Sequence, residues 1–183
     1  SRLKARLVVR GFEQRPGAHF DESNLYAGVM MYSSLRTLLS TATAKGYGIS
    51  LRDVRNAYIQ SDLPDELYME LPEGFKEDGK CLRLAKALYG LRQDGHLWSA
   101  TFSGFLRSLS FERNLADPSI HSLIWKDEKT GKARELHVGT YVDDLTIVSS
   151  DPEALAWLDE KLAARFPMQD SEAKDLNLSL IHI

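Results

Sequence analysis

Two adjacent carboxylates, Asp143 and Asp144, sit between the runs Leu136-His137-Val138-Gly139-Thr140-Tyr141-Val142 and Leu145-Thr146-Ile147-Val148. Val, Ile, Thr and Tyr favour the pleated, half-buried surface of a strand. Two such runs joined by a polar pair predict a β-hairpin with both aspartates projecting from its tip. Like charges that close repel, and each raises the pKa of the other. A cation relieves that repulsion, and carboxylate oxygens suit hard divalent ions such as Mg²⁺. The alternative is a solvated turn, because Asp is a common turn residue, although the pair lacks the Gly that two-residue hairpins favour.

A third carboxylate bears on the choice. In Ile49-Ser50-Leu51-Arg52-Asp53-Val54, strand alternation puts Ile49, Leu51 and Asp53 on one face. A charge on an apolar face is costly unless it is paired or binds a metal. One solution is a salt bridge with Arg52, Arg55 or another cation. The other sets Asp53 on a strand neighbouring the Asp143–Asp144 hairpin, and only a sheet can join positions so distant in the chain. Three carboxylates placed together hold two metal ions roughly 3.5–4 Å apart, as in-line phosphoryl chemistry requires.

These side chains need a scaffold, and the hydrophobic pattern supplies one. Residues 4–10 and 49–54 predict strands, and residues 82–84 form a short apolar piece. Ser33 or Ser34 can cap a helix carrying Leu35, Leu38, Leu39 and Ala42 on one face, stopped by Gly46. Asp94 can cap a second helix with the stripe Trp98, Phe102, Phe105, Leu106 and Leu109, which reads as core rather than as a base-stacking platform. Asp151-Pro152 starts a third, with Asp at N-cap and Pro at N1, and Leu155, Leu158 and Leu162 form its buried stripe. Helices packed on one side of an antiparallel sheet make an α+β domain.

Composition sets outer limits. The 183 residues suit one domain or part of a larger one, and 43% hydrophobic residues are enough for a core. No apolar run is long enough to span a bilayer, so no membrane partner is expected. The start, Ser1-Arg2-Leu3-Lys4, carries neither an initiator Met nor a signal-peptide pattern, which reads as an internal piece of a longer chain. Cys81 is the one cysteine, so it forms neither an intrachain disulfide nor a thiolate cluster, and it reads as a small apolar filler. The net charge of −3 argues mildly against a nucleic-acid binder. The distribution softens this: Arg2, Lys4, Arg6, Arg10 and Arg15 face one acid, Glu13, in the first fifteen residues. Such an arm can meet phosphates, or it can be an ordinary solvated strand edge.

Six blocks in order give the chain a family likeness. They are Lys4-Ala5-Arg6-Leu7-Val8-Val9-Arg10-Gly11-Phe12, Arg52-Asp53-Val54-Arg55-Asn56-Ala57-Tyr58, Leu67-Tyr68-Met69-Glu70-Leu71-Pro72-Glu73-Gly74-Phe75, Ala87-Leu88-Tyr89-Gly90-Leu91-Arg92-Gln93, Ala116-Asp117-Pro118-Ser119 and Tyr141-Val142-Asp143-Asp144. Together they resemble the reverse transcriptase domain of copia-type retrotransposon Pol polyproteins. The resemblance implies a right-hand polymerase palm with interleaved fingers over residues 1–177, the thumb being absent. It implies an RNA-directed DNA polymerase that adds dNTPs to a primer 3′-hydroxyl with two Mg²⁺ ions, or Mn²⁺ in their place. Asp53, Asp143 and Asp144 match the catalytic, metal-binding carboxylates. Lys4 and Arg6 match fingers cations that contact the triphosphate, Tyr58 a ring that excludes a 2′-hydroxyl, and Gln93 a residue near the nascent base pair. Arg92 reads as a phosphate contact or a surface charge. The implied partners are an RNA or DNA template-primer, dNTPs, and the integrase and RNase H of the same polyprotein, in a cytoplasmic virus-like particle.

The chain also departs from the family's wording. Asp94-Gly95-His96-Leu97-Trp98 stands where the family reads Ala-Pro-Arg-Ala-Trp, and Leu25-Tyr26-Ala27-Gly28-Val29 stands near its Phe-Ser-Pro-Val. The closing hexapeptide, Leu178-Ser179-Leu180-Ile181-His182-Ile183, equals one reading frame of a sequencing-library adaptor and is expected to be an appended tail. Two other classes therefore stay open: a two-metal nuclease or phosphotransferase built on the same carboxylates, and an inactive retroelement relic.

Overall fold

A computed structural model of the chain describes residues 6–169. In chain order its main elements are α1 (Tyr32–Lys45), β1 (Gly48–Asp53), β2 (Tyr68–Glu70), β3 (Cys81–Arg83), α2 (Asp94–Ser108), β4 (Glu112–Arg113), β5 (Ile120–Lys126), β6 (Ala133–Tyr141), β7 (Asp144–Ser149) and α3 (Pro152–Arg165). They fall into two units whose segments interleave: Ser1–Gly28 with Asn56–Leu109, and Val29–Arg55 with Ser110–Ile183.

The second unit is built on an antiparallel sheet of order β1-β7-β6-β5-β4. The interior strand β7, between β1 and β6, shows no burial alternation, and Leu145, Thr146, Ile147, Val148 and Ser149 are all buried. A strand buried on both faces needs a layer on each. The register supplies the assignment. Gly48, Ser149, Leu136 and Leu123 stand side by side on one face, while Leu51, Thr146, Gly139 and Ile120 share the other. Leu155 of α3 lies over Gly48, whereas Met30 and Leu38, before and within α1, lie over Gly139. The expectation of helices on one side is therefore corrected: α1 and α3 cover opposite faces. The mixed α/β composition, the antiparallel sheet and the three helices stand as expected.

Helix ends show where local reading succeeds. Asp151 accepts a hydrogen bond from the Glu153 N–H at 3.0 Å and Pro152 occupies N1. Gly46 closes α1 in the left-handed region, φ 67°. The start of α1 differs from expectation, because Ser33 and Ser34 lie inside the helix. The Met31 N–H instead donates to Oδ2 of Asp117 at 2.9 Å, a cap delivered from far along the chain. Asp117 is buried and also accepts the Ser119 N–H at 3.0 Å. Burial pushes its carboxyl up, but bonds from Ser34, Met31 and Ser119 more than offset this and hold it below the usual carboxylate range.

The first unit pairs β2 with β3 and buries Trp98, Phe102 and Leu106 of α2, which packs against a 3-10 turn at Ala57–Gln60. The aromatic stripe is core, as expected. Residues 6–10 form no strand; the Val9 N–H donates to Tyr89 O at 2.8 Å and ties them to a distant segment of the unit. Cys81 is exposed on β3 rather than a buried filler.

His121 on β5 is buried, and neither ring nitrogen has a hydrogen-bond partner. Desolvation, with the Arg113 charge second, lowers its pKa from 6.5 to about 4. The unfolded chain therefore takes up a proton between those values while the folded chain does not. Stability should be fully present above pH 6.5 and fall by about 3 kcal/mol as the pH drops through that window. Thermal melts from pH 7 to 4, compared with His121→Leu, should show the slope in the parent chain and a flatter profile in the variant.

Candidate functional site

The end of the five-stranded sheet gathers the three predicted carboxylates. Asp53, the last residue of β1, is the direct cross-strand partner of Asp144, the first residue of β7, and Tyr141 of β6 completes the row. Side chains of such partners leave the same face about 4.5–5.5 Å apart at Cβ. Because Tyr141 pairs with Asp144, the two-residue turn is Val142-Asp143, not the aspartate pair itself. Val142 holds φ 55°, which a β-branched residue rarely adopts. Strain of this kind persists where surrounding structure imposes it, often at functional sites. The Val54 N–H donates to the Asp143 carbonyl at 2.9 Å, tying the hairpin tip to the end of β1. Gln169 N–H donates to Asp53 O at 3.0 Å and Arg55 N–H to Pro167 O at 2.8 Å, so the segment after α3 backs the same corner.

The electrostatics match this placement. Asp144 titrates above the usual carboxylate range, first because it is partly desolvated, then because Asp143 and Asp53 oppose its charge. Arg52 offers no relief to its neighbour. It turns to the opposite face and pairs with Asp159 of α3, its Nε donating at 2.9 Å. Among the described residues no three His, Cys, Asp or Glu side chains close into a metal cluster. The trio is a set of oxygen donors within one another's field rather than a formed cage.

Arg6, Tyr58 and Gln93 belong to the first unit. Tyr58 lies in the 3-10 turn after Asn56, half-buried, its ring edge-on to Tyr89 at 4.7 Å. Arg6 places its guanidinium 5.2 Å from the centre of the same Tyr89 ring. Tyr89 thus joins two predicted residues, and sequence reading passed over it although it stands inside a quoted block. Lys4 lies outside the described residues, as does the 178–183 tail.

Gln93 lies in the interior of the first unit. It is 2% exposed and its amide is engaged internally, Oε1 accepting from Gln14 at 3.0 Å and Nε2 donating to the His19 carbonyl at 3.1 Å and to Asp65 at 3.3 Å. It ties segments of the unit together. Arg92 is exposed, with Nε donating to the Gly11 carbonyl at 3.0 Å.

Comparison with known proteins gives one consistent result. The family model for reverse transcriptase (RNA-dependent DNA polymerase) matches residues 1–180. The Retrovirus-related Pol polyprotein from transposon TNT 1-94 of Nicotiana tabacum is 37% identical over 172 residues, covering 92% of this chain and 12% of that protein. The Pol polyprotein from transposon RE1 of Arabidopsis thaliana is 34% identical over 94% of this chain and 11% of its own length. The Transposon Ty1-GR3 Gag-Pol polyprotein of Saccharomyces cerevisiae is 29% identical, over 96% and 9%. No solved structure matches. The chain thus spans 9–12% of the length of these relatives.

Proposed function

This chain belongs to the reverse transcriptase (RNA-dependent DNA polymerase) family of copia-type Pol polyproteins, and on that premise we propose that it supplies the catalytic core of an RNA-directed DNA polymerase. The sheet-bearing unit acts as palm and the interleaved unit as fingers. The observation that carries the reading is the pairing of Asp53 with Asp144 beside Asp143 on one sheet corner.

The donor set suits the family's metal. Oxygen ligands of full negative charge are what Mg²⁺ or Mn²⁺ selects. The raised pKa of Asp144 marks a spot where a cation would be welcome. Two such ions, when bound, would lower the cost of charge on the attacking and leaving oxygens. The chain's own part is positional. Asp53, Asp143 and Asp144 would hold the ions from the sheet end, and the positive φ of Val142 sets the direction of the tip. Arg6, with Lys4, would draw the triphosphate, because a guanidinium grips phosphate in bidentate fashion. Tyr58 would sit beneath the sugar and clash with a 2′-hydroxyl. The same reading sets the domain on a template-primer, beside integrase and RNase H of one polyprotein, in a cytoplasmic virus-like particle.

The test is primer extension by the full reading frame that carries this segment, with Mg²⁺ and an annealed RNA template. Lengthening of the primer supports a polymerase, shortening supports a nuclease, and neither supports a relic. Tyr58→Val is expected to admit ribonucleotides, raising their incorporation relative to dNTPs by roughly tenfold or more, the scale of one lost steric contact. An unchanged sugar preference would remove Tyr58 from the gate.

A further inference from the structure

A groove of ≈ 330 Å³ opens in the second unit between β5, β6 and the first turns of α3. Leu123, Leu136 and Ala154 form its apolar base, Trp125 and Trp157 contribute aromatic surface, and Asp151 and Glu153 supply its charge. Leu136 lies five positions from Tyr141 on β6, so the groove is on the face opposite Asp53 and Asp144 and roughly 17 Å along the strand at about 3.4 Å per residue. A ligand there does not touch the carboxylate corner.

The chemistry of the lining selects the occupant. Both tryptophans are only half-buried and Glu153 is exposed. No cation lines the groove, and two carboxylates do. The nearest basic side chain in register, Arg134 opposite Trp125, is already neutralised by Asp127 at 3.0 Å. Phosphate would be repelled here, so nucleic acid is disfavoured. An Arg or Lys gains twice, from the ring faces by cation–π attraction and from the carboxylates by charge. The leucines and Ala154 call for apolar neighbours beside that charge, and part-exposed Trp is the residue type that anchors protein interfaces. We infer that this groove docks a polypeptide segment presenting Arg or Lys beside apolar side chains. The inference is independent of the polymerase reading.

The probe is an acetylated, amidated Leu-Arg-Leu-Arg-Leu peptide titrated against the chain, with Leu-Glu-Leu-Glu-Leu as its control, read by tryptophan emission. The third tryptophan, Trp98, is 2% exposed, so the change reports on Trp125 and Trp157. The basic peptide should give a saturable shift that weakens with salt, and the acidic one none. Glu153→Lys, at an exposed position, should weaken binding about tenfold while leaving the melting temperature nearly unchanged. Trp157→Phe should weaken it less than Trp157→Ala. Equal response to both peptides, no response to either, or indifference to Glu153→Lys overturns the inference. So does displacement of the basic peptide by a single-stranded oligonucleotide, which would make the groove a phosphate surface.

Discussion

Asp144→Asn should cut primer extension by about 10³-fold or more while raising the melting temperature of the chain. The loss follows from removing a ligand whose bound metal stabilises charge by several kcal/mol in the transition state, at about 1.4 kcal/mol per tenfold. The gain follows from the pKa. The Asp144 carboxyl titrates above its ordinary value because of burial and the charges of Asp143 and Asp53. In an acid so shifted the ionised form disfavours the folded state, and that penalty is present at neutral pH and disappears as the pH falls below the folded pKa. Asn carries no charge, so the penalty goes. Mg²⁺ removes it by another route, and binding to the folded state alone adds stability by mass action. Added Mg²⁺ should therefore raise the melting temperature of the parent chain and raise that of Asp144→Asn much less. Retained extension by the variant would remove Asp144 from the site, and equal Mg²⁺ shifts would put the ion elsewhere.

The same corner shows what a sequence reveals and what it hides. Strand periodicity was enough to put Asp53 on the side shared with Ile49 and Leu51, and its register partner is one of the two carboxylates that the cost of a charge on an apolar face had pointed to. The turn was misplaced by one residue because pairing of Tyr141 with Asp144, a property of two strands together, fixes it. The cap of α1 was invisible for a related reason. Local capping rules favour Ser33 or Ser34, while Asp117 arrives through the fold. Helix sidedness was misread: Leu145-Thr146-Ile147-Val148 lacks polar alternation, which signals burial on both faces, whereas the helices were expected on one side. Gln93 was assigned by resemblance, and resemblance carries position, not the hydrogen bonds that consume its amide. The departures from the family's wording also gain sense. His96 Nδ1 lies 2.9 Å from the Tyr26 carbonyl, and a Cβ on Gly95 would stand 2.9 Å from that of Ala27. Two unusual segments meet, and each fits the other.

The largest stability effect should come from Gly90→Ala, with Gly11→Ala close behind. A Cβ on Gly11 would lie 1.9 Å from the Gly90 carbonyl oxygen, and one on Gly90 2.2 Å from the Val9 oxygen and 2.8 Å from Val8 Cγ1. Backbone atoms cannot rotate out of the way as a side-chain tip can. Gly90 also holds φ 97°, where a side chain is strained regardless of space. The contact is locked on both sides: Val9 N–H donates to Tyr89 O at 2.8 Å, Arg92 N–H to Gln14 Oε1 at 2.8 Å and Gly90 N–H to Asp94 Oδ2 at 3.2 Å. Overpacking and backbone strain together should cost about 3 kcal/mol or more at position 90. Gly104 is the internal control. It lies within α2, nothing stands within 4 Å of its added Cβ, and Ala there should stabilise by about 0.5–1 kcal/mol. Melting curves read by circular dichroism should move in opposite directions for the two substitutions. If Gly90→Ala melts with the parent chain, the close approach of the two glycines is wrong. The seating of Arg6 over Tyr89, which depends on that approach, would then have to be abandoned with it.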